Sequence, residues 1–144
     1  MLTVIVSPGD SERLAGLLAV LTTAAVEGLV REVLIACKGP KALLEAVCDE
    51  TGAELAADLP SAIGRAKSEL LLVAPPEFRP TEGWAERLSD HLREGGREAV
   101  LLGLGGRLFR RGPEALLIGR ADAASKTEVA ALRRVLGARA RRLL

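Results

Sequence analysis

The residues with the types and spacing to do chemistry stand where short apolar runs stop. Leu70-Leu71-Leu72-Val73-Ala74 runs into Pro75-Pro76-Glu77, Thr3-Val4-Ile5-Val6 into Ser7-Pro8-Gly9-Asp10, and Val33-Leu34-Ile35-Ala36 into Cys37-Lys38-Gly39. In an open parallel sheet, ligands lie beyond the carboxyl ends of the strands, so these three loops are where a binding site is expected. Glu77 is the carboxylate of the third loop. Alone it is a weak cation ligand, because a magnesium site needs a second ligand and substrate phosphates, and the plainer role is a solvated loop residue or a partner for Arg79. Trp84 either stacks on a base or sugar or anchors the helix that it opens. The cysteines, Cys37 and Cys48, and the one histidine, His91, give no zinc ligand set. Cys48 reads as a small core residue and His91 as a surface residue of a charged helix. Ser7-Pro8-Gly9-Asp10-Ser11-Glu12 matches neither a P-loop nor a dinucleotide fingerprint, and Asp10 alone is not the acidic cluster of a receiver domain. Gly103-Leu104-Gly105-Gly106 follows a strand, but no helix opens promptly behind it, so it makes a poor phosphate cradle.

The elements that must position these loops follow from apolar spacing and turn chemistry. Leu2 to Val6 is expected as a first buried strand, and Leu14, Leu17, Leu18 and Leu21 recur at helical spacing through Glu27, with Asp10 or Ser11 as cap. Val30 to Cys37 gives a second strand, and Gly39-Pro40 opens a helix carrying Leu43, Leu44, Val47 and Cys48 to a stop at Gly52. Ala53 to Ala56 is a weak third strand. Asp58-Leu59-Pro60 starts a short helix through Lys67, Leu70 to Ala74 is the fourth strand, and a helix runs from Gly83 to Glu94. Glu98 to Leu104 and Glu114 to Ile118 are further strands, and a basic helix is expected over about 121–142. This alternation predicts one α/β domain over residues 1–144. It is a three-layer α/β/α arrangement around a mostly parallel sheet of about five to six strands, Rossmann-like, with right-handed crossovers.

Composition limits the partners. The net charge of +1 hides an asymmetry: residues 107–144 hold ten Lys and Arg against three Asp and Glu, while the preceding residues hold ten against sixteen. A local basic field attracts anionic partners whatever the total. Val129, Leu132, Leu136 and Leu143 lie near one stripe of the expected tail helix, with Arg133, Arg134, Arg141 and Arg142 on other faces. Such a helix either docks its stripe on the domain or lies on an anionic membrane surface. Nucleic acid is not expected, because aromatic residues make up 2% of the chain and there is no tyrosine to stack on bases. No apolar run approaches the ~20 residues of a membrane span. The N-terminus has no positive n-region, so a cytoplasmic, at most membrane-peripheral, location is expected.

Taken in order, these motifs resemble the nucleotide-binding part of a family 2 glycosyltransferase. The resemblance lies in Thr3-Val4-Ile5-Val6-Ser7-Pro8-Gly9-Asp10-Ser11-Glu12-Arg13-Leu14, in Val26-Glu27-Gly28-Leu29-Val30-Arg31-Glu32-Val33-Leu34-Ile35-Ala36-Cys37-Lys38-Gly39, and in Leu70 to Ala74 followed by a loop and Gly83-Trp84. It extends to Gly112-Pro113-Glu114-Ala115-Leu116-Leu117-Ile118. It implies a GT-A-type, nucleotide-diphospho-sugar transferase fold. Ser7, Pro8, Gly9, Asp10, Cys37, Lys38, Gly39, Ala74 and Glu77 would then lie around a nucleotide or nucleotide sugar, with Trp84 and Glu114 on the acceptor side.

In that family the strand matching Leu70 to Ala74 delivers an Asp-x-Asp pair that holds a divalent metal and the sugar diphosphate. The strand matching Val30 to Ala36 ends in an Asp that contacts the base or ribose. Here Ala74-Pro75-Pro76 and Cys37 stand in those places, and a proline offers neither carboxylate nor backbone N–H. Mg2+ or Mn2+ with a nucleotide sugar would be the cofactors of an active form. The departures imply impaired or absent transfer, and no catalytic residue can be assigned. The alternative is a non-catalytic binding or assembly protein that meets a protein partner or membrane through the 74–82 loop and the basic tail.

Overall fold

A computed structural model describes residues 1–9, 11–36, 41–104, 113–124, 126, 128–137 and 141–143. Strand β1 (Leu2–Val6) is buried along its whole length, with Leu2, Val4 and Val6 in one core and Ile5 in the other, as a strand covered on both faces requires. Helix α1 (Leu14–Val26) follows a 3-10 turn (Ser11–Arg13). Its N-cap is Arg13, which makes no side-chain capping bond, so the helix starts later than the expected Asp10 or Ser11 cap. Strand β2 (Val30–Ile35) and helix α2 (Lys41–Thr51) come next, and α2 ends at Gly52, whose φ of +78° only glycine adopts without strain. Strand β3 (Glu54–Leu55) leads to helix α3 (Leu59–Arg65), capped by Asp58, whose carboxylate accepts the Ser61 N–H at 2.8 Å. Strand β4 (Leu70–Ala74) and helix α4 (Trp84–Arg93) complete the part that the sequence foretells closely.

The remaining elements are strand β5 (Ala99–Leu102), strand β6 (Glu114–Gly119), helices α5 (Arg120–Ala123) and α6 (Val129–Leu136), and strand β7 (Arg141–Leu143). The sheet has the order β3-β2-β1-β4-β6-β5-β7. It is α/β and mostly parallel as expected, but β6 runs antiparallel to both β4 and β5. Helices α1, α2 and α4 cover one face around Leu14, Leu17, Leu44 and Leu88. Helices α3, α5 and α6 cover the other around Leu59, Ile63, Ala123 and Leu132.

Two expectations are corrected here. Among the described residues the sheet has seven strands rather than five to six, and the tail is not one helix over 121–142. Leu132 and Leu136 pack on the α3 face, whereas Leu143 packs on the α1 face, and one helical stripe cannot reach both sides of a sheet. Gly137 ends α6 at a φ of +63°, its N–H donating to the Arg133 carbonyl, and the chain then adds β7 in parallel to β5. His91 is also not a surface residue. It is 5% exposed at the end of α4, with its ring against Gly96, where a side chain would leave it no room.

Candidate functional site

The topology fixes where a site belongs. From β1 the chain crosses one face through α1 to β2, and from β3 it crosses the other face through α3 to β4, while β1 and β4 lie side by side with Val6 opposite Ala74. The strand order reverses between β1 and β4, and at such a switch point a crevice lies beyond the carboxyl ends of the two strands. The residues around that crevice are Ser7, Pro8 and Gly9 after β1 and Pro75 to Arg79 after β4.

Among the described residues, the two loops at the crevice pack directly against each other. The Ser7 N–H donates to the Ala74 carbonyl at 2.8 Å, so both residues are tied into the sheet edge, and Ser7 is buried. A tight turn follows β4, with the Phe78 N–H donating to the Pro75 carbonyl at 3.0 Å. Pro76 is buried and lies against Gly9: a Cβ at Gly9 would come within 2.7 Å of the Pro76 Cδ and 2.9 Å of the Glu77 Oε1. Glycine is required at position 9 for that close approach. The Glu77 carboxylate therefore lies over the β1 loop.

Arg79 locks this arrangement. Its Nη1 donates to the carbonyls of Pro76 at 2.8 Å and Phe78 at 2.7 Å, and its Nη2 to the carbonyl of Arg13 at 2.7 Å, with the guanidinium lying over Gly16. One side chain thus fastens the β4 loop to the start of α1, and the cationic donor makes each bond stronger than a neutral one. Beneath it Phe78 is 2% exposed, and a Cβ at Gly103 would meet its ring at 2.9 Å and the Pro113 carbonyl oxygen at 2.5 Å. The loop is also bonded to the end of β5, through the Pro80–Gly103 bridge and the Leu104 N–H donating to the Arg79 carbonyl at 2.7 Å. Sequence reasoning paired Arg79 with Glu77 alone and assigned no role to Phe78 or Gly103. The contact between Arg79 and Arg13 spans 66 residues and leaves no local signal.

Of the expected site residues, Ser7, Pro8, Gly9, Ala74 and Glu77 come together at this edge. Asp10, Cys37, Lys38 and Gly39 lie outside the described residues. Glu114, at the start of β6, shares the carboxyl edge but is paired with α6. Its Oε1 is 3.8 Å from the Arg133 Nε, and its buried Oε2 has no hydrogen-bond partner among the described residues. Trp84 is not brought to the crevice. It lines a groove with Val20, Thr23, Ala24 and Glu27, along the second half of α1, and packs partly against the core as an anchor for α4. Cys48, half-buried on α2, is remote from the crevice, and burial, then Asp49 and Glu45, push its thiol pKa up.

The described residues at the crevice do not fit a divalent cation. Ala74, Pro75 and Pro76 carry no ligand group, and no cluster of three His, Cys, Asp or Glu suited to a metal occurs among the described residues. Among the described residues, what remains can offer backbone and van der Waals contacts and the carboxylate of Glu77. No helix among the described residues is long and apolar enough to cross a membrane.

No protein-family model matches the chain, and no curated protein matches it. Among solved structures, the chain is similar to glucosyl-3-phosphoglycerate synthase from Mycobacterium tuberculosis in complex with Mn2+, uridine diphosphate and glucosyl-3-phosphoglycerate. Identity is 13% over 64% of this chain and 39% of that one, with a TM-score of 0.46. A second structure of that enzyme, with Mn2+, uridine diphosphate and phosphoglyceric acid, matches at 14% identity over 69% of this chain and 41% of that one, with a TM-score of 0.47. The chain thus spans about two fifths of those proteins. At this level the likeness carries neither substrate nor mechanism to it.

Proposed function

We propose that this chain is a glycosyltransferase-like domain of the nucleotide-diphospho-sugar-binding type that does not carry out metal-assisted sugar transfer. The first half of that reading rests on the resemblance of its loops to family 2 glycosyltransferases and on the crevice at the carboxyl ends of β1 and β4. The second half rests on one observation: the buried Pro76 wedged against Gly9, where a metal-binding acid pair would be needed. A nucleotide would meet Ser7, Pro8 and Gly9, with Asp10, Cys37, Lys38 and Gly39 completing the pocket. Glu114 would lie on the acceptor side. Incubating the purified protein with a panel of nucleotide sugars plus Mg2+ or Mn2+ tests this. Release of nucleoside diphosphate above the protein-free background would contradict it.

A second reading is a non-catalytic binding or assembly protein acting through the 74–82 loop, favoured by the three carbonyls that Arg79 holds. A loop fixed in advance loses little entropy on meeting a partner. Calorimetric titration with uridine and guanosine diphosphates separates the two. Binding supports the nucleotide-pocket reading, and no heat with either supports the second.

A further inference from the structure

The opposite, amino edge of the sheet is open. Two adjoining cavities of about 540 and 520 Å3 meet there at Glu69 and Arg97, the first lined also by Arg31, Lys67 and Ser68, the second by Arg120 and Asp122. Two arginines from different elements hold the turn that precedes β4. The Arg31 Nη1 donates to the Lys67 carbonyl at 3.4 Å and the Arg120 Nη1 to the Ala66 carbonyl at 2.6 Å. The Lys67 N–H donates to the Glu32 Oε2 at 3.3 Å, which orients the turn from the β2 side.

Cations therefore converge on one short turn. None of Arg31, Lys67 and Arg97 forms an ion pair with another described residue. Ser68, which lines the same cavity, is 6% exposed, and its Oγ has no hydrogen-bond partner among the described residues. Like charges held side by side without an ion-pair partner are an arrangement that an oxyanion ligand would relieve. Guanidinium groups anchored through one nitrogen keep further N–H donors in a fork that suits phosphate oxygens. Glu69 and Glu32 set against Arg31, Lys67 and Arg97 leave one positive charge, with Arg120 and Asp122 offsetting each other beside them, and that surplus favours a phosphate-class anion.

We propose that this cavity binds a phosphate-class anion through Lys67, Arg97 and Arg31. The site is separate from the crevice at the carboxyl edge and does not depend on nucleotide binding there. The test is an NMR titration of the full chain with inorganic phosphate at low ionic strength. Saturable shifts are expected in the amides of residues 67–69 and 95–97. Arg97→Gln and Lys67→Gln each remove an exposed charge, so the fold is retained, and each should weaken binding by roughly tenfold. Ser68→Ala should leave it unchanged, because the Ser68 Oγ is closed to the cavity.

Co-sedimentation with vesicles of phosphatidylcholine, with and without phosphatidic acid, separates the two sources of phosphate. Retention only on phosphatidic acid, lost in Arg97→Gln, assigns the ligand to a lipid headgroup. Saturable phosphate binding without vesicle retention assigns it to a soluble phosphate. Absence of both, or binding unchanged in the Lys67→Gln, Arg97→Gln double variant, overturns the proposal. Because the terminal phosphate of uridine diphosphate would also enter this cavity, the titration with that nucleotide is repeated with the Lys67→Gln, Arg97→Gln double variant, in which the remaining heat reports on the other edge.

Discussion

The two ends of β1 and β4 are built in opposite ways. At the carboxyl end, Pro76 presses on Gly9, Phe78 lies under Gly103, and Arg79 ties the loop to the carbonyl of Arg13. At the amino end, Arg31 and Arg120 hold the turn before Ser68, and the space in front of it stays open. Topology alone marks the carboxyl end as the place for a ligand, because that is where the strand order reverses. The side chains decide otherwise. Prolines and a buried phenylalanine occupy the place that topology provides, and the uncompensated charge lies at the far edge. A switch point thus gives the location of a crevice and not its contents, which depend on which residues the loops carry.

The contrast can be broken by loosening the filled edge. Phe78→Ala should have the largest effect, a loss of about 3–5 kcal/mol from the cavity left under the loop. That corresponds to a fall in melting temperature on the order of 10 °C, read by circular dichroism. A fall of a degree or two would mean that the loop is not anchored through this ring. Gly103→Ala should cost about 2 kcal/mol, since the new Cβ meets a backbone oxygen, the Pro113 carbonyl, which cannot swing aside. The matching change at the open edge, Gly64→Ala, meets nothing within 4 Å on α3 and should be neutral or stabilise by about 0.5 kcal/mol. If both glycine variants melt alike, the two edges do not differ in packing as described.

Arg79→Met should cost about 2 kcal/mol for its carbonyl bonds and speed amide exchange in residues 77–79. Unchanged exchange would mean that the prolines alone hold the loop. The smallest effect is expected at Cys48, which belongs to neither edge. Its thiol pKa is raised by burial, then by Asp49 and Glu45, so the fold favours the neutral thiol. That contribution is present below the unfolded-state pKa and fades as pH rises through the higher folded value. In a Cys37→Ser background, alkylation at pH 8 should be slower in the folded than in the unfolded chain. Equal rates would show the thiol to be unperturbed.

Much of the first hundred residues was legible because local rules decide it. The Asp58 cap, the stop at Gly52 and the apolar run Leu70 to Ala74 all appear as the sequence requires. The tail was not legible, since Leu143 sits at a spacing compatible with the stripe of Leu132 and Leu136. Only the partner strand β5 turns residues 141–143 into an edge strand on the other face. Nor does an apolar run such as Leu116-Leu117-Ile118 carry its own direction, so the reversal at β6 could not be read. At the site, the loss of acids at Ala74-Pro75-Pro76 was plain in the sequence. The filling of the crevice was not, because it depends on contacts between Gly9, Pro76 and Arg79 that are distant along the chain. His91 was misread for a related reason: its burial rests on the missing side chain of Gly96.

The central proposal is that this chain is a glycosyltransferase-like domain that does not carry out metal-assisted sugar transfer. Its most direct test is the release of nucleoside diphosphate from a panel of nucleotide sugars, followed with the full chain in the presence of Mg2+ and of Mn2+. The account predicts release no faster than in protein-free controls with either metal. Metal-dependent release, lost again when the metal is chelated, would contradict it.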